Sequence, residues 1–236
     1  MTFNEFDFKE QLQKAIEEAG FKEPSPIQEQ AIPVILAGKD IVGQAHTGTG
    51  KTAAFGLPIL NKLKGKSGVE AVVIVPTREL AMQVSDELYR FGKFLGINTA
   101  TVYGGQAYAR QIKLIENASI IVATPGRFLD LLRGEKIDIK PDFVILDEAD
   151  EMLDMGFLDD IKEIFTFLPK ERQTLLFSAT MPAPIAKLAK KYMKPDAKLI
   201  SVKKSSLTVS KIQQNYFMIN NKHRLEALCR LLDLDK

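Results

Sequence analysis

Seven short apolar runs, at residues 40–43, 71–75, 99–102, 119–123, 143–146, 174–177 and 198–202, punctuate this chain of 236 residues. Most are nearly continuous stretches of Val, Ile and Leu, whereas a strand covered on one face alternates apolar with polar. Helical spacing fills the gaps between them. Leu80, Val84, Leu88 and Phe91 share one face, and shorter helical patterns occupy 112–116, 128–132, 158–167 and 185–192. Strands buried on both faces and joined by helices predict a parallel sheet with helices on either side, a doubly wound α/β domain. In such a sheet ligands bind at the carboxyl ends of the strands. Upstream, Phe8, Leu12, Ile16 and Ala19 predict a helix that Gly20 stops. Pro24 and Pro26 break the chain, and 27–36 reads as a second helix that Pro33 kinks or tightens.

The first run opens directly into Ala45-His46-Thr47-Gly48-Thr49-Gly50-Lys51-Thr52, followed by a helix-compatible stretch, 53–64. Strand, glycine-rich loop and helix in this order are the context of a phosphate-binding loop. Thr47, Gly48, Thr49 and Gly50 would bring backbone N–H groups onto phosphate oxygens, with the dipole of the following helix aimed at the same anion. Lys51 would reach the β- and γ-phosphates, and the Thr52 hydroxyl would hold Mg²⁺. Ala45 in place of the leading Gly misses the strict pattern by one methyl group. A glycine-rich turn without a ligand is the plain alternative.

Other chemistry-bearing residues fall at the ends of the later runs. Asp147-Glu148-Ala149-Asp150 follows 143–146. Asp147 suits Mg²⁺ held through water, and Glu148 suits a general base that orients the attacking water. An acid cluster that merely favours the next helix through its dipole is the structural alternative. Ser178 and Thr180 follow 174–177 and either bond the acids or cap the helix after Pro182. Pro76-Thr77-Arg78, Gly104-Gly105 and Thr124-Pro125-Gly126-Arg127 follow three further runs. They place hydroxyls, backbone N–H groups or an arginine where nucleic-acid phosphates bind, or where ordinary capping occurs.

Together these residues resemble the DEAD-box RNA helicase family from Phe3 to about Val202. Residues 20–28 resemble its Q motif, 45–52 motif I, 76–81 motif Ia, and 104–105 the GG motif. Residues 124–127 resemble motif Ib, 147–150 motif II, and 178–180 motif III. The resemblance implies a RecA-like P-loop NTPase fold and an RNA-stimulated ATPase that unwinds short duplexes. It implies ATP and Mg²⁺ as cofactors and RNA bound through its backbone. Gln28 would read adenine, with Phe3 and Phe21 offering ring faces to the base. Lys51, Asp147 and Glu148 would be catalytic, and Ser178 and Thr180 would couple phosphate state to RNA grip. Pro76, Thr77, Arg78, Gly105, Thr124, Pro125 and Arg127 would contact RNA. His46 stands where the family more often has Gln. Nothing resembles motifs IV, V or VI.

The domain reading is 1–202 for the RecA-like unit, with the Q motif at 1–28. A polar linker follows at 203–211, and 212–236 reads as the beginning of a second RecA-like domain, with a strand-like run at 214–219 and a helix at 224–234; a C-terminal arm packed on the first domain is the alternative. The rest of that domain is then a missing partner in the same full-length protein, and the isolated chain is expected to hydrolyse ATP very slowly. Lys187, Lys190, Lys191 and Lys194 read as a solvated helix face rather than an RNA stripe. A lone cysteine, Cys229, excludes a disulfide framework and is expected to be at least half-buried. Two histidines argue against structural zinc, and a net charge of +2 does not argue for nucleic-acid binding by bulk electrostatics. No run has the roughly 20 apolar residues of a membrane span; residues 1–10 mix acids with Phe, unlike a signal peptide, and a cytoplasmic setting follows. Two other readings compete. One is a non-catalytic nucleotide-binding module, against which intact Thr52 and Glu148 argue. The other is a GTPase, for which Asn221-Lys222-His223-Arg224 begins like a guanine reader but lacks the acid.

Overall fold

A computed structural model describes residues 1–65, 68–202 and 215–234. The chain divides into two compact units, Met1–Lys203 and Lys204–Lys236. In the first unit seven strands form one sheet in the order β3-β4-β2-β5-β6-β1-β7, and every pairing is parallel. The strands are β1 (Ile41–Gln44), β2 (Ala71–Ile74), β3 (Thr99–Val102), β4 (Ile120–Ala123), β5 (Phe143–Leu146), β6 (Gln173–Ser178) and β7 (Lys198–Ser201). The helices are α1 (Glu10–Glu18), α2 (Pro26–Leu36), α3 (Lys51–Lys62), α4 (Arg78–Gly92), α5 (Tyr108–Ile115), α6 (Pro125–Arg133), α7 (Ala149–Asp154), α8 (Leu158–Phe167) and α9 (Ala183–Tyr192).

Alternate residues of the central strands enter two separate cores. Val73, Ile145, Leu175 and Phe177 pack on one side with Ile41, α1, α2, α3 and α4. Val72, Val144, Leu146 and Leu176 pack on the other with α6, α8 and α9. That two-sided burial is why the sequence runs are continuous rather than alternating. The edge strands obey the other rule. In β7 only Ile200 is buried, and in β3 only Ala100 and Val102 are; expected burial on both faces does not hold at these edges, where one face or flank lacks cover.

Other differences have local causes. Asp40 precedes β1, and its buried carboxylate accepts from the Thr174 and Lys194 backbone N–H groups at 2.9 and 2.8 Å. β6 is longer than the apolar run because polar Gln173 and Ser178 are buried and bonded. The helices α4, α5, α6 and α9 begin before their apolar patterns, since capping and turn residues supply the first turn. α2 runs through Pro33 as one helix. On α9, Ile185 and Leu188 are buried while Lys187, Lys190 and Lys191 are exposed, and Lys194 beyond its end is exposed too, as expected of a solvated face.

In the second unit, 215–220 carries no strand, and the expected linker and the first residues of that run lie outside the described residues. α10 (Arg224–Leu234) forms where helix was expected. Cys229 is exposed, contrary to expectation, because a lone helix beside a short turn builds no core within its own unit.

Candidate active site

The parallel sheet brings the carboxyl ends of β1, β6 and β5 side by side, and the three site-bearing loops leave from them. Strand neighbours are about 4.8 Å apart, so the loop after β1 and the acids after β5 stand about 10 Å apart with the end of β6 between. Lys51 spans this gap. Its ammonium is 2.7 Å from Glu148 Oε1 and 3.8 Å from Asp147 Oδ1, although its side chain is only 5% exposed. Thr47 Oγ1 donates to the same Glu148 oxygen at 3.0 Å.

The loop itself is shaped by glycine and by its neighbours. Gly48 and Gly50 have φ of +79° and +87°, which L side chains rarely adopt. Thr49 Oγ1 closes the turn on the His46 carbonyl at 2.7 Å. Gly50 caps α3, which starts at Lys51. The start of α2 grips this loop from outside: Ser25 Oγ donates to the Thr49 carbonyl at 2.8 Å, and Gln28 Nε2 donates to the Gly50 carbonyl at 3.0 Å. Gln28 Oε1 accepts from the Ser25 N–H at 2.9 Å, half of a capping box. Gln28 is thus buried, with one amide proton and one lone pair left over. Phe3 is 4% exposed and packs edge-on against Phe6 and Phe21, and Phe21 packs edge-on against Phe91. Phe3 has a core role first; Phe21 is half-buried.

Glu148 adopts a left-handed backbone, φ 55° and ψ 51°, at the N-cap of α7. Strain of this kind costs about 1–2 kcal/mol and tends to sit at functional sites. Asp147 is buried, its Oδ1 accepting from the Glu148 N–H at 3.0 Å. Burial pushes its carboxyl up to about 6, against the attraction of Lys51. An acid whose pKa is higher folded than unfolded stabilises the fold below its unfolded value and loses that contribution as pH rises through the folded one. From 3.8 to about 6 the loss at neutral pH is about 3 kcal/mol at most. Asp147→Asn is therefore expected to stabilise the nucleotide-free chain at pH 7.5 by about 1–3 kcal/mol. The gain should fade as pH drops from 6 towards 4, and urea melts of both proteins across that range measure it.

Ser178 and Thr180 bond the acid loop rather than capping α9, whose N-cap is Pro182. Ser178 Oγ accepts from the Asp150 N–H at 3.1 Å. The Asp150 carboxylate accepts from Thr180 Oγ1 and N–H, each at 2.8 Å, and from the Ala179 N–H at 3.4 Å. Burial opposes ionisation of Asp150, but these hydrogen bonds outweigh it and hold its pKa low.

On a neighbouring stretch of the same rim, a cleft of about 440 Å³ gathers Pro76, Thr77, Arg78, Gly104, Thr124 and Arg127 from the ends of β2, β3 and β4. Thr77 Oγ1 accepts from the Leu80 N–H at 3.1 Å, so it is a true N-cap. Thr124 stands at the N-cap of α6 with no such bond, and Pro125 follows it, buried. Arg78 lies against Gly105, φ +92°. Arg127 donates to the Gln106 carbonyl and Gln111 Oε1 at 2.7 and 3.0 Å and stacks over Tyr108. Gln106, Tyr108, Gln111, Met155 and Phe157 were not singled out from sequence. They carry no motif signal, and only proximity in the fold reveals them.

Among the described residues no group of three or more His, Cys, Asp or Glu converges as a metal cage. A hydroxyl and a buried carboxylate beside a phosphate loop suit a cation held chiefly by phosphate oxygens and water.

Sheet order, loop and acids define a RecA-like P-loop α/β domain. The chain belongs to the DEAD/DEAH box helicase family, whose pattern it matches over residues 25–188. It is 54% identical over 234 residues to the DEAD-box ATP-dependent RNA helicase RhpA of Helicobacter pylori (strain B128), covering 98% of this chain and 47% of that protein. It is 48% identical over 237 residues to the DEAD-box ATP-dependent RNA helicase CshA of Bacillus subtilis (strain 168), covering 99% of this chain and 48% of that one. The chain thus spans about half the length of these curated relatives. The crystal structure of a DEAD box protein from the hyperthermophile Methanococcus jannaschii superposes with a TM-score of 0.84 at 44% identity, covering 98% of this chain and 63% of that one.

Proposed function

We propose that this chain is the ATP-binding half of an ATP-dependent RNA helicase. The supporting observation is the reach of Lys51 across β6 to Asp147 and Glu148. Loop, cation and acids from distant parts of the sequence meet at one point on the sheet rim. In the proposed state the loop N–H groups of residues 47–51 bind the polyphosphate and Lys51 leaves Glu148 for it. Thr52 and Asp147 would hold a Mg²⁺ ion, which would supply charge neutralisation on the phosphates. Glu148, freed from Lys51, orients the attacking water and takes its proton. Gln28 and Phe21 hold the adenine, with Phe3 backing Phe21 from the core. Pro76, Thr77, Arg78, Gly105, Thr124, Pro125 and Arg127 hold RNA through phosphate and sugar, so binding depends little on sequence. Ser178 and Thr180 carry the phosphate state to that face.

Residues 212–236 are, in this reading, the start of a second RecA-like unit whose remaining part supplies further phosphate-stabilising charge. Phosphoryl transfer without an arginine finger is slower by about 10³-fold or more. The chain alone is therefore expected to bind adenine nucleotide in preference to guanine nucleotide and to hydrolyse it barely, with or without RNA. Titration with fluorescent ATP and GTP analogues, and RNA-stimulated turnover of the chain against the full-length protein, test this. Preference for GTP, or full RNA-stimulated turnover by the chain alone, would sink the proposal. A cytoplasmic setting belongs to the same proposal. It is supported by the cysteine-poor composition, and no helix among the described residues is long and apolar enough to cross a membrane.

A further inference from the structure

A second concave site lies on the opposite rim of the sheet. The connections from α8 to β6 and from α9 to β7 close around a cavity of about 560 Å³ at the amino ends of β1 and β6. That volume is in the range of small-molecule sites. β6 is six residues long, about 17 Å at the usual rise per residue, so this cavity is separate from the phosphate loop at the other end of the strand. Its walls carry Lys170, Arg172, Lys191 and Lys194 against one carboxylate, Asp40. Asp40 is buried and already accepts from the Thr174 and Lys194 N–H groups. Asp196, the next acid along the chain from Lys194, is paired with Lys39. Among the described residues no carboxylate pairs with any of the four cations.

Arg172 is held in place by neutral groups. It is half-buried. Its Nε donates to Thr174 Oγ1 at 3.2 Å, its Nη1 to the Pro169 carbonyl and its Nη2 to the Tyr192 carbonyl at 3.5 Å. The guanidinium lies over the Phe165 ring, which stacks on Tyr192 with centroids 4.4 Å apart. These partners fix the fork but do not balance its charge, and burial draws its pKa down. A guanidinium taken from water without a counter-ion is unfavourable, and charges held so tend to mark binding sites. We infer that the cavity binds a small free anion with two or more phosphoryl groups. Arg172 supplies a fixed planar fork that suits phosphoryl oxygens, and the exposed Lys170, Lys191 and Lys194 supply charge around it. A lone carboxylate ligand would leave most of that charge unmatched. Single-stranded RNA is a poorer fit, since it is held along an extended groove, and this is a compact hollow between two turns. The plain alternative is that Arg172 only braces the two turns.

The test is a titration of the chain with inorganic tripolyphosphate, in EDTA, followed by backbone amide NMR. The same probe suits the phosphate loop, so the amides of residues 47–51 report one site and those of Thr174 and Lys194 report the other. Lys51→Ala should abolish the first set of shifts and leave the second. Arg172→Gln should weaken the second site about 10-fold or more, the worth of a hydrogen bond to a charged group. Lys170→Gln combined with Lys191→Gln alters only exposed side chains, so it keeps the inference testable if Arg172→Gln unfolds, and it should weaken the second site several-fold. Lys187→Gln combined with Lys190→Gln, exposed on α9 but outside the cavity, should change nothing. Four results would overturn the inference. Tripolyphosphate might leave the Thr174 and Lys194 amides unmoved, or lose both sets of shifts with Lys51→Ala. The control pair of lysines could weaken binding as much as the cavity pair, or sulfate could shift the same amides as strongly, which would mean an adventitious ion only. If single-stranded RNA moves these amides and tripolyphosphate does not, the cavity is a nucleic-acid contact and the inference is equally lost.

Discussion

Glu148→Gln is expected to lower ATP hydrolysis by the full-length protein about 10²- to 10⁴-fold, the usual worth of a positioned general base, while nucleotide binding holds or tightens. The two effects have one origin. Glu148 holds Lys51 at 2.7 Å and Thr47 at 3.0 Å. Both belong to the loop that must receive the phosphates, so the carboxylate competes with the ligand it later acts upon. Glutamine keeps the shape but not the charge and grips the ammonium less firmly. Steady-state turnover and nucleotide titration on the same preparations check this. Unchanged turnover would remove Glu148 from the role of base. Weakened binding with slow turnover would mean that its charge organises the loop rather than contesting it.

Gly50→Ala is expected to cost about 2–4 kcal/mol of stability and to weaken nucleotide binding about 100-fold or more. The residue sits at φ +87°, and a Cβ there would come within 2.4 Å of Gln28 Nε2 and 3.3 Å of Ser25 Oγ. Neither can withdraw freely, because both are bonded to the loop itself. The substitution must push α2 from the loop or rotate the first turn of α3, and either disperses the N–H groups around Lys51. Gly48→Ala is the matched control. Its φ is +79°, but nothing lies within 4 Å of a Cβ there, so only the backbone cost of about 1 kcal/mol applies. Thermal melts and nucleotide titrations of the pair decide the matter. Equal losses in both variants would show that backbone strain, not the grip of Gln28 and Ser25, governs the loop.

Much of this architecture was legible because burial on both faces writes itself into sequence. Runs 71–75 and 143–146 are apolar throughout because β2 and β5 lie at the centre of the sheet. β7 misled for the converse reason: an edge strand shields one residue in four, yet its sequence still looks like its neighbours'. The phosphate loop was legible as a local pattern, and the acids as a local cluster. Their meeting followed from the carboxyl-end rule and the family resemblance; what the sequence did not show was the strand order, which places β6 between β1 and β5 and sets the gap that Lys51 crosses. Tyr108 and Gln111 escaped for a similar reason: they buttress Arg127 from the next element, and no spacing rule links α5 to α6.

The bonds that join Asp150 to Ser178, Ala179 and Thr180 have a mechanical consequence. They tie the first turn of α7 to the tip of β6 as a strut anchored in the sheet's middle. Glu148 sits at one end of that strut and Thr180 at the other. A shift of the acid would be carried along these bonds towards Thr180. Asp150→Ala would remove the carboxylate that holds Thr180 and so take away the lever.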